Sequence, residues 1–235
     1  MNKTYFISGI DTDCGKTMVT SLLARELHQQ GIKVITQKMV QTGSSEIADD
    51  LREHRRITGI DLQEVDLDHT TCPYIFQFPA SPHLAARMEQ TSIDPEVISR
   101  STTKLEENYE LVLLEGAGGL MVPIQDELLT IDYLQKEGHP LILVSSSKLG
   151  SINHTLLSLE ACLNRKIPVA ALVYNHLPNE NQFIAEESMQ VLKRYLHNNS
   201  PETHWMECPE VNGADFPALG CSWMTASAPN TEQRR

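Results

Sequence analysis

No apolar run in this chain approaches the roughly 20 residues needed to cross a bilayer, so no membrane-spanning segment is expected. Basic residues are scarce: 19 Lys and Arg stand against 31 Asp and Glu, a formal net charge of −12. General binding to nucleic acid or to an anionic membrane requires exposed positive surface, and this balance argues against both. The five cysteines, Cys14, Cys72, Cys162, Cys208 and Cys221, are odd in number and widely spaced, without a CxxC pair. Neither a zinc site nor a disulfide framework is therefore expected. His83, His139, His154 and His176 have no HxxxH or HExxH spacing, and read as surface or capping groups. There is no G-x-S-x-G elbow, so no serine-hydrolase site is expected. The opening "MNKTYFISGIDTD" turns polar too soon for a secretory signal, which points to a cytoplasmic protein.

What the chain does contain is an alternation of strands and helices. A hydrophobic content of 40% suffices for a buried core, and 235 residues suggest one domain over 1–225 with a frayed tail over 226–235. "TYFISG" reads as a strand, and "MVTSLLARELHQQG" as a helix stopped by Gly31. "KVITQKMV" reads as a second strand, followed by a polar helix in "EIADDLREHRRITG" closed by Gly59. Ser81-Pro82 resembles a capped helix start, and "DPEVISRSTTKLEENY" an amphipathic helix. "ELVLLEGAGG", "PLILVSSS" and "PVAALVYN" are near-continuous apolar runs, the pattern of parallel strands covered on both faces. A crossover helix, "SINHTLLSLEACLNRKI", separates the last two. From about Asn198 the pattern dissolves into Pro-punctuated segments. The expected fold is α/β: a doubly wound, mostly parallel sheet with helices on both faces, of the P-loop NTPase type.

The chemistry-bearing residues lie at predicted strand ends, where open α/β sheets collect their ligands. "SGIDTDCGKT" follows a strand and opens a helix, the context of a phosphate-binding loop. The usual first glycine position is Ile10, and Gly9 sits one residue too early. Backbone N–H groups from Asp13 through Cys14 to Thr17 can wrap phosphate oxygens, with Gly15 allowing close approach. Lys16 would neutralise phosphate charge, and Thr17 would offer its hydroxyl to Mg²⁺. Glu115 ends a strand ahead of Gly116, Ala117 and Gly118, well placed to hold a cation beside phosphate. Lys38 is open to two readings, a lysine facing transferring phosphoryl oxygens or an edge lysine reaching for solvent. The segment Gly150 to Asn153 opens a helix that can receive an anion, although Ser151 or Asn153 reads first as a plain N-cap. Asn175 can read a base edge or simply form a turn before Pro178. Charge on the "ADDLREHRR" helix reads as a solvated face.

In order and spacing, "GIDTDCGKT", "QKMVQTG", "ASPHLAA", "LLEGAGGLMVP" and "KLGSINHTLL" resemble the dethiobiotin synthetases, over most of the chain from Thr4 to about Asn175. The lengthened G-x-D-T-x-x-G-K-T loop is that family's own form. The resemblance implies an ATP- and Mg²⁺-dependent ligase of biotin biosynthesis that closes a ureido ring on 7,8-diaminononanoate with CO₂. It implies that Asp13 to Met18 hold ATP, that Thr17, Asp49 and Glu115 coordinate Mg²⁺, and that Lys38 and Lys16 are catalytic. Asn175, His176 and Pro209 would lie on the nucleotide, with Cys208 and Glu210 as neighbours. Thr12 and Thr42 would contact the diamine. In a homodimer, Gly150, Ser151, Ile152 and Asn153 of the other subunit would grip its carboxylate. Met39 stands where the family commonly has Pro, and Asp50 adjoins Asp49, which leaves the choice of cation ligand open between the two. A different class, a partner-switching P-loop ATPase, would carry a second lysine in the loop and a basic amphipathic tail, and neither is present.

Overall fold

A computed structural model describes residues 2–178, 181–211, 213 and 215–225; the tail expected over 226–235 lies outside them. The chain begins with β1 (Thr4–Gly9), α1 (Lys16–Gln29), β2 (Val34–Lys38), a two-residue strand β3 (Gln41–Thr42) and α2 (Asp49–Thr58). Then come the short α3 (Glu64–Leu67), β4 (Ile75–Phe76), α4 (Pro82–Met88), α5 (Pro95–Asn108) and β5 (Leu111–Gly119). A small hairpin of β6 (Pro123–Gln125) and β7 (Leu128–Leu129) leads into α6 (Thr130–Glu137), β8 (Leu141–Ser146) and α7 (Ser151–Asn164). The chain continues through β9 (Val169–Asn175), α8 (Gln182–Asn199) and β10 (His204–Cys208).

Six strands form one sheet in the order β10-β9-β8-β1-β5-β2, and every neighbouring pair is parallel. Successive side chains point to opposite faces, which is why Phe6, Leu114 and Leu143 join one core while Ile7, Leu113 and Ile142 join the other. Both faces are dry, so apolar runs replace the alternation of a half-exposed sheet. The first face is covered by α4, α5, α6, α7 and α8; the second by α1, α2 through Ile57, and the segment from Leu219 to Met224. After β1 the chain winds to the β2 edge, returns through β5, then crosses β1 to build β8, β9 and β10. The winding reverses beside β1, so its carboxyl end is the crevice where such sheets bind ligands.

Most expected elements stand where the sequence placed them. Gly31 and Gly59 take positive φ, +81° and +82°, as helix stops require. Asp94 caps α5 by accepting the Glu96 N–H at 2.9 Å. Ser81 precedes α4 without capping it; its hydroxyl pairs with His83 Nδ1 instead, at 3.1 Å. The C-terminal third differs more. The chain does not dissolve at Asn198: α8 runs to Asn199, and β10 adds an edge strand in register with β9, Cys208 opposite Asn175. "HWMEC" carries too little apolar periodicity to announce itself, and its pairing is supplied by the exposed edge of β9.

Candidate active site

The phosphate loop leaves β1 at Gly9, and the lack of a side chain there is what lets it fold. A Cβ on Gly9 would lie 2.3 Å from Cys14 Sγ and 2.7 Å from the Asp11 carbonyl. The early glycine thus marks the tightest point of a lengthened loop, and Ile10 needs no glycine. Asp13 (φ +57°) and Gly15 (φ +99°) then turn the backbone into α1, whose first N–H groups have no intrahelical acceptor. Lys16 is buried and folds over the loop, its ammonium donating to the Asp11 carbonyl at 3.0 Å. Met18 is half-buried on the second core.

Behind the loop, the parallel register of β2 and β5 places Lys38 directly opposite Glu115. Paired positions on adjacent strands face the same side, so the two side chains meet. Lys38 Nζ reaches Glu115 Oε1 at 2.8 Å, Asp50 Oδ2 at 2.5 Å and the Gly116 carbonyl at 3.2 Å. Thr17 Oγ1 donates to the same Glu115 Oε1 at 3.1 Å. Lys38 is thus no solvent-seeking edge lysine: it is 5% exposed and fully ion-paired. Burial acts to lower its pKa, but the charges of Glu115 and Asp50 hold it well above the ordinary lysine value. Burial likewise favours neutral Glu115, and the Lys38 ammonium with the His54 hydrogen bond overrides it, holding the carboxyl well below the usual range.

Asp49, expected beside Thr17 and Glu115, does not face this group; Asp50 does. Adjacent helical residues differ by about 100° in direction. Asp50 faces Lys38, whereas Asp49 is exposed toward a separate surface depression with Ser45, Glu46 and Arg52. Reading α2 as a solvated charged face also fails on its inner side. His54 and Arg55 are 0% and 3% exposed, with Leu51, Ile57 and Thr58 buried beside them. Arg55 makes a double hydrogen bond to Asp66 at 2.8 and 2.7 Å. His54 Nε2 lies 3.0 Å from Glu115 Oε2. Sequence reading missed His54, although its spacing of four from Asp50 marks a shared helix face.

A cavity of about 500 Å³ gathers Lys16, Thr17, Lys38, Thr42, Asp50 and Glu115 with Ala117 and Gly118. Thr12 lines it and also two neighbouring cavities of about 540 and 510 Å³. The first neighbour runs from Asp13 and Cys14 to Lys148 and Ser151; the second is walled by Met121, Val122 and Leu157. Gly150 takes φ +98° at the N-cap of α7, with Ile152 half-buried and Asn153 exposed beyond it. Ser151 Oγ is buried without a hydrogen-bond partner among the described residues.

On the far side of the loop, Asn175 Nδ2 donates to the Cys14 carbonyl at 3.0 Å and its Oδ1 accepts the Leu177 N–H at 3.1 Å. Asn175 is therefore first a brace of the phosphate loop, with one N–H and one lone pair left over for a ligand. His176 follows it, its backbone N–H bonded to the Cys208 carbonyl and its ring to Glu207. This brings Pro209 and Glu210, both exposed, to the same end of the sheet.

Oxygen ligands suit Mg²⁺, and the hydroxyl of Thr17 and the carboxylates of Asp50 and Glu115 form an all-oxygen donor set around one cavity. Among the described residues no cluster of three His, Cys, Asp or Glu side chains offers a self-sufficient metal cage. No described helix is long and apolar enough to cross a membrane.

A family model described as an AAA domain matches residues 3–201. An ATP-dependent dethiobiotin synthetase, BioD 2, of Haemophilus influenzae is 57% identical over 187 residues, covering 80% of this chain and 98% of its own length. The ATP-dependent dethiobiotin synthetase BioD of Chlorobaculum tepidum is 56% identical over 199 residues, 83% of each chain. Among solved structures, a ParA family ATPase from Chlorobium tepidum aligns with a TM-score of 0.54 at 16% identity, covering 90% of this chain and 86% of its own. The pNOB8 ParA bound to nonspecific DNA aligns with a TM-score of 0.55 at 14% identity, over 95% and 91%. At such identities these two likenesses concern the fold alone.

Proposed function

Since this chain belongs to the ATP-dependent dethiobiotin synthetase family, we propose how its own residues divide the work of that reaction. The enzyme is a ligase of biotin biosynthesis, using ATP and Mg²⁺ to build dethiobiotin from 7,8-diaminononanoate and CO₂. The fold alone would also suit an ATPase that switches protein partners; relatives more than 50% identical favour the synthetase. One amine of the diamine adds CO₂ to give a carbamate. A carbamate oxygen attacks the γ-phosphorus and expels ADP, leaving a carbamic-phosphoric anhydride. The second amine attacks the anhydride carbonyl carbon, expels phosphate, and closes the five-membered ring.

The observation that carries the proposal is the Lys38 ammonium, held by Asp50 and Glu115 in the same cavity as Lys16 and Thr17. A buried cation there stabilises charge developing on transferring phosphoryl oxygens far better than one in water. Lys16 and the N–H groups from Asp13 to Met18 cradle the ATP phosphates, with Gly116, Ala117 and Gly118 on the opposite wall. Thr17, Asp50 and Glu115 hold Mg²⁺, which when bound neutralises phosphate charge. Thr12 and Thr42 contact the diamine; the position of Thr12 between the phosphate cavity and its neighbours supports this. Asn175, His176 and Pro209 border the nucleotide base. Holding both amines and the γ-phosphate in one site supplies high effective concentration for ring closure.

We assign the protein to the cytoplasm as one catalytic unit over 1–225; its five free, buried thiols suit a reducing compartment. The working form is a homodimer in which Gly150 to Asn153 of the other subunit receive the substrate carboxylate. Three exposed apolar side chains near that segment, Leu149 (77%), Leu157 (61%) and Met121 (53%), support an interface. Leu157→Asp is expected to shift sedimentation from dimer to monomer and to raise KM for the diamine. A protein that is monomeric before the substitution would remove the shared site.

The residue assignments are tested with purified protein, ATP, Mg²⁺, bicarbonate and 7,8-diaminononanoate, following dethiobiotin by mass spectrometry. Asp50→Ala is expected to lower turnover by roughly 100-fold, and Asp49→Ala to leave it within about twofold. The reverse order would return the cation to Asp49.

A further inference from the structure

Behind Glu115 runs a buried hydrogen-bond chain that no step of the reaction uses directly. Asp66 clamps the Arg55 guanidinium, and Arg55 Nη1 donates to Thr36 Oγ1 at 2.6 Å. Thr36 Oγ1 lies 3.0 Å from His54 Nδ1, and His54 Nε2 lies 3.0 Å from Glu115 Oε2. None of these five residues is more than 3% exposed, so each polar hydrogen needs a protein partner.

Counting donors gives the chain a direction. A guanidinium can only donate, so Thr36 Oγ1 accepts from Arg55. Among the described residues, the remaining partner for the Thr36 hydroxyl hydrogen is His54 Nδ1. If Nδ1 carried a hydrogen of its own, that hydroxyl hydrogen would be stranded in a dry interior. Nδ1 is therefore the acceptor, and the imidazole hydrogen sits on Nε2, aimed at Glu115. The two carboxylate oxygens then have separate duties: Oε2 takes the His54 N–H, while Oε1 alone faces Thr17 and Lys38.

We propose that His54 is a positioning residue, locked as the Nε2–H tautomer by Thr36 and Arg55, that makes Glu115 a one-oxygen ligand for the catalytic cation. The proposal rests on Glu115 being a metal ligand, as assigned above. Partners of this kind orient a ligand without touching the metal, and losing one weakens metal binding about 10- to 100-fold.

Two measurements on the intact protein test it. Nitrogen-15 histidine labelling, with the His54 signals assigned by their loss in His54→Gln, reads the tautomer without metal or nucleotide. The expected result is a protonated Nε2 and an unprotonated Nδ1; the opposite tautomer overturns the lock. Thr36→Val, which keeps the side-chain shape, should release that preference, and an unchanged tautomer in this variant would also overturn it. Mn²⁺ binding to the ADP complex, followed by electron paramagnetic resonance, reads the consequence. His54→Leu is expected to weaken Mn²⁺ by about 10-fold, and His54→Gln, whose amide can donate to the same oxygen, by no more than about threefold. Equal losses in both variants would reduce His54 to a packing residue. Glu115→Gln separates the two levels: if it binds Mn²⁺ like wild type, the ligand assignment fails whatever the tautomer proves to be.

Discussion

Lys38→Ala is expected to cut dethiobiotin formation roughly 1,000-fold, the scale of losing a preorganised charge at a developing oxyanion. Its effect reaches the fold as well. Glu115 is fully buried, and among the described residues Lys38 is its one full ion-pair partner besides the His54 contact. Removing one member of a buried pair strands the other, at about 3 kcal/mol even with His54 and Thr17 still donating to Glu115. The pH dependence gives the sign. Glu115 has a depressed pKa, so its contribution is complete above the unfolded value near 4.3 and fades as pH falls below it. Lys38 has a raised pKa, so its contribution is complete below about 10.4 and fades as pH rises through the folded value. The stability gap between wild type and variant should be full at pH 7 and narrower at pH 3. Urea unfolding at the two pH values measures it. An unchanged midpoint at pH 7 would mean that Glu115 does not depend on Lys38, and near-normal turnover would remove Lys38 from the reaction.

Gly15→Ala is expected to weaken ATP binding about 100-fold, or about 2.7 kcal/mol. Two costs add. A side chain at φ +99° is strained by about 1–2 kcal/mol. The new Cβ would also lie 2.3 Å from Asn175 Nδ2, pushing the amide off the Cys14 carbonyl that it braces at 3.0 Å. Since the second cost needs Asn175, Gly15→Ala should cost about 1 kcal/mol less in an Asn175→Ala background. Nucleotide titrations of the four proteins in this cycle give the coupling. Strict additivity would show that Asn175 does not hold the loop.

Much of the fold was legible because burial on both faces writes itself directly into composition. β5, β8 and β9 appear as near-continuous apolar runs, and no distant contact is needed to recognise them. α8 was missed because a half-exposed helix at the edge of the sheet carries a weak apolar stripe. β10 was missed because its pairing depends on the free edge of β9 more than on its own residues. In the site, Lys16, Thr17 and Glu115 stood out at strand ends and the start of α1, Lys38 stayed open between two readings, and the fold brings all four to one cavity.

Local patterns were enough for five of the six strands of the sheet, for the phosphate loop and for the kind of chemistry, since each rests on a run, a turn or a motif at a strand end. Tertiary structure alone turns Asp50, and not Asp49, toward Lys38, the two lying one residue and about 100° apart, because the docking of α2 on the sheet is set by contacts far away in sequence. The same docking made His54 and Arg55 interior groups, and Arg55 finds its counter-charge on Asp66, eleven residues further on. The need for Gly9 is a tertiary matter too. Its place one residue ahead of the familiar motif has its reason in the folded loop, where Cys14 and the Asp11 carbonyl stand where any side chain on it would have to be.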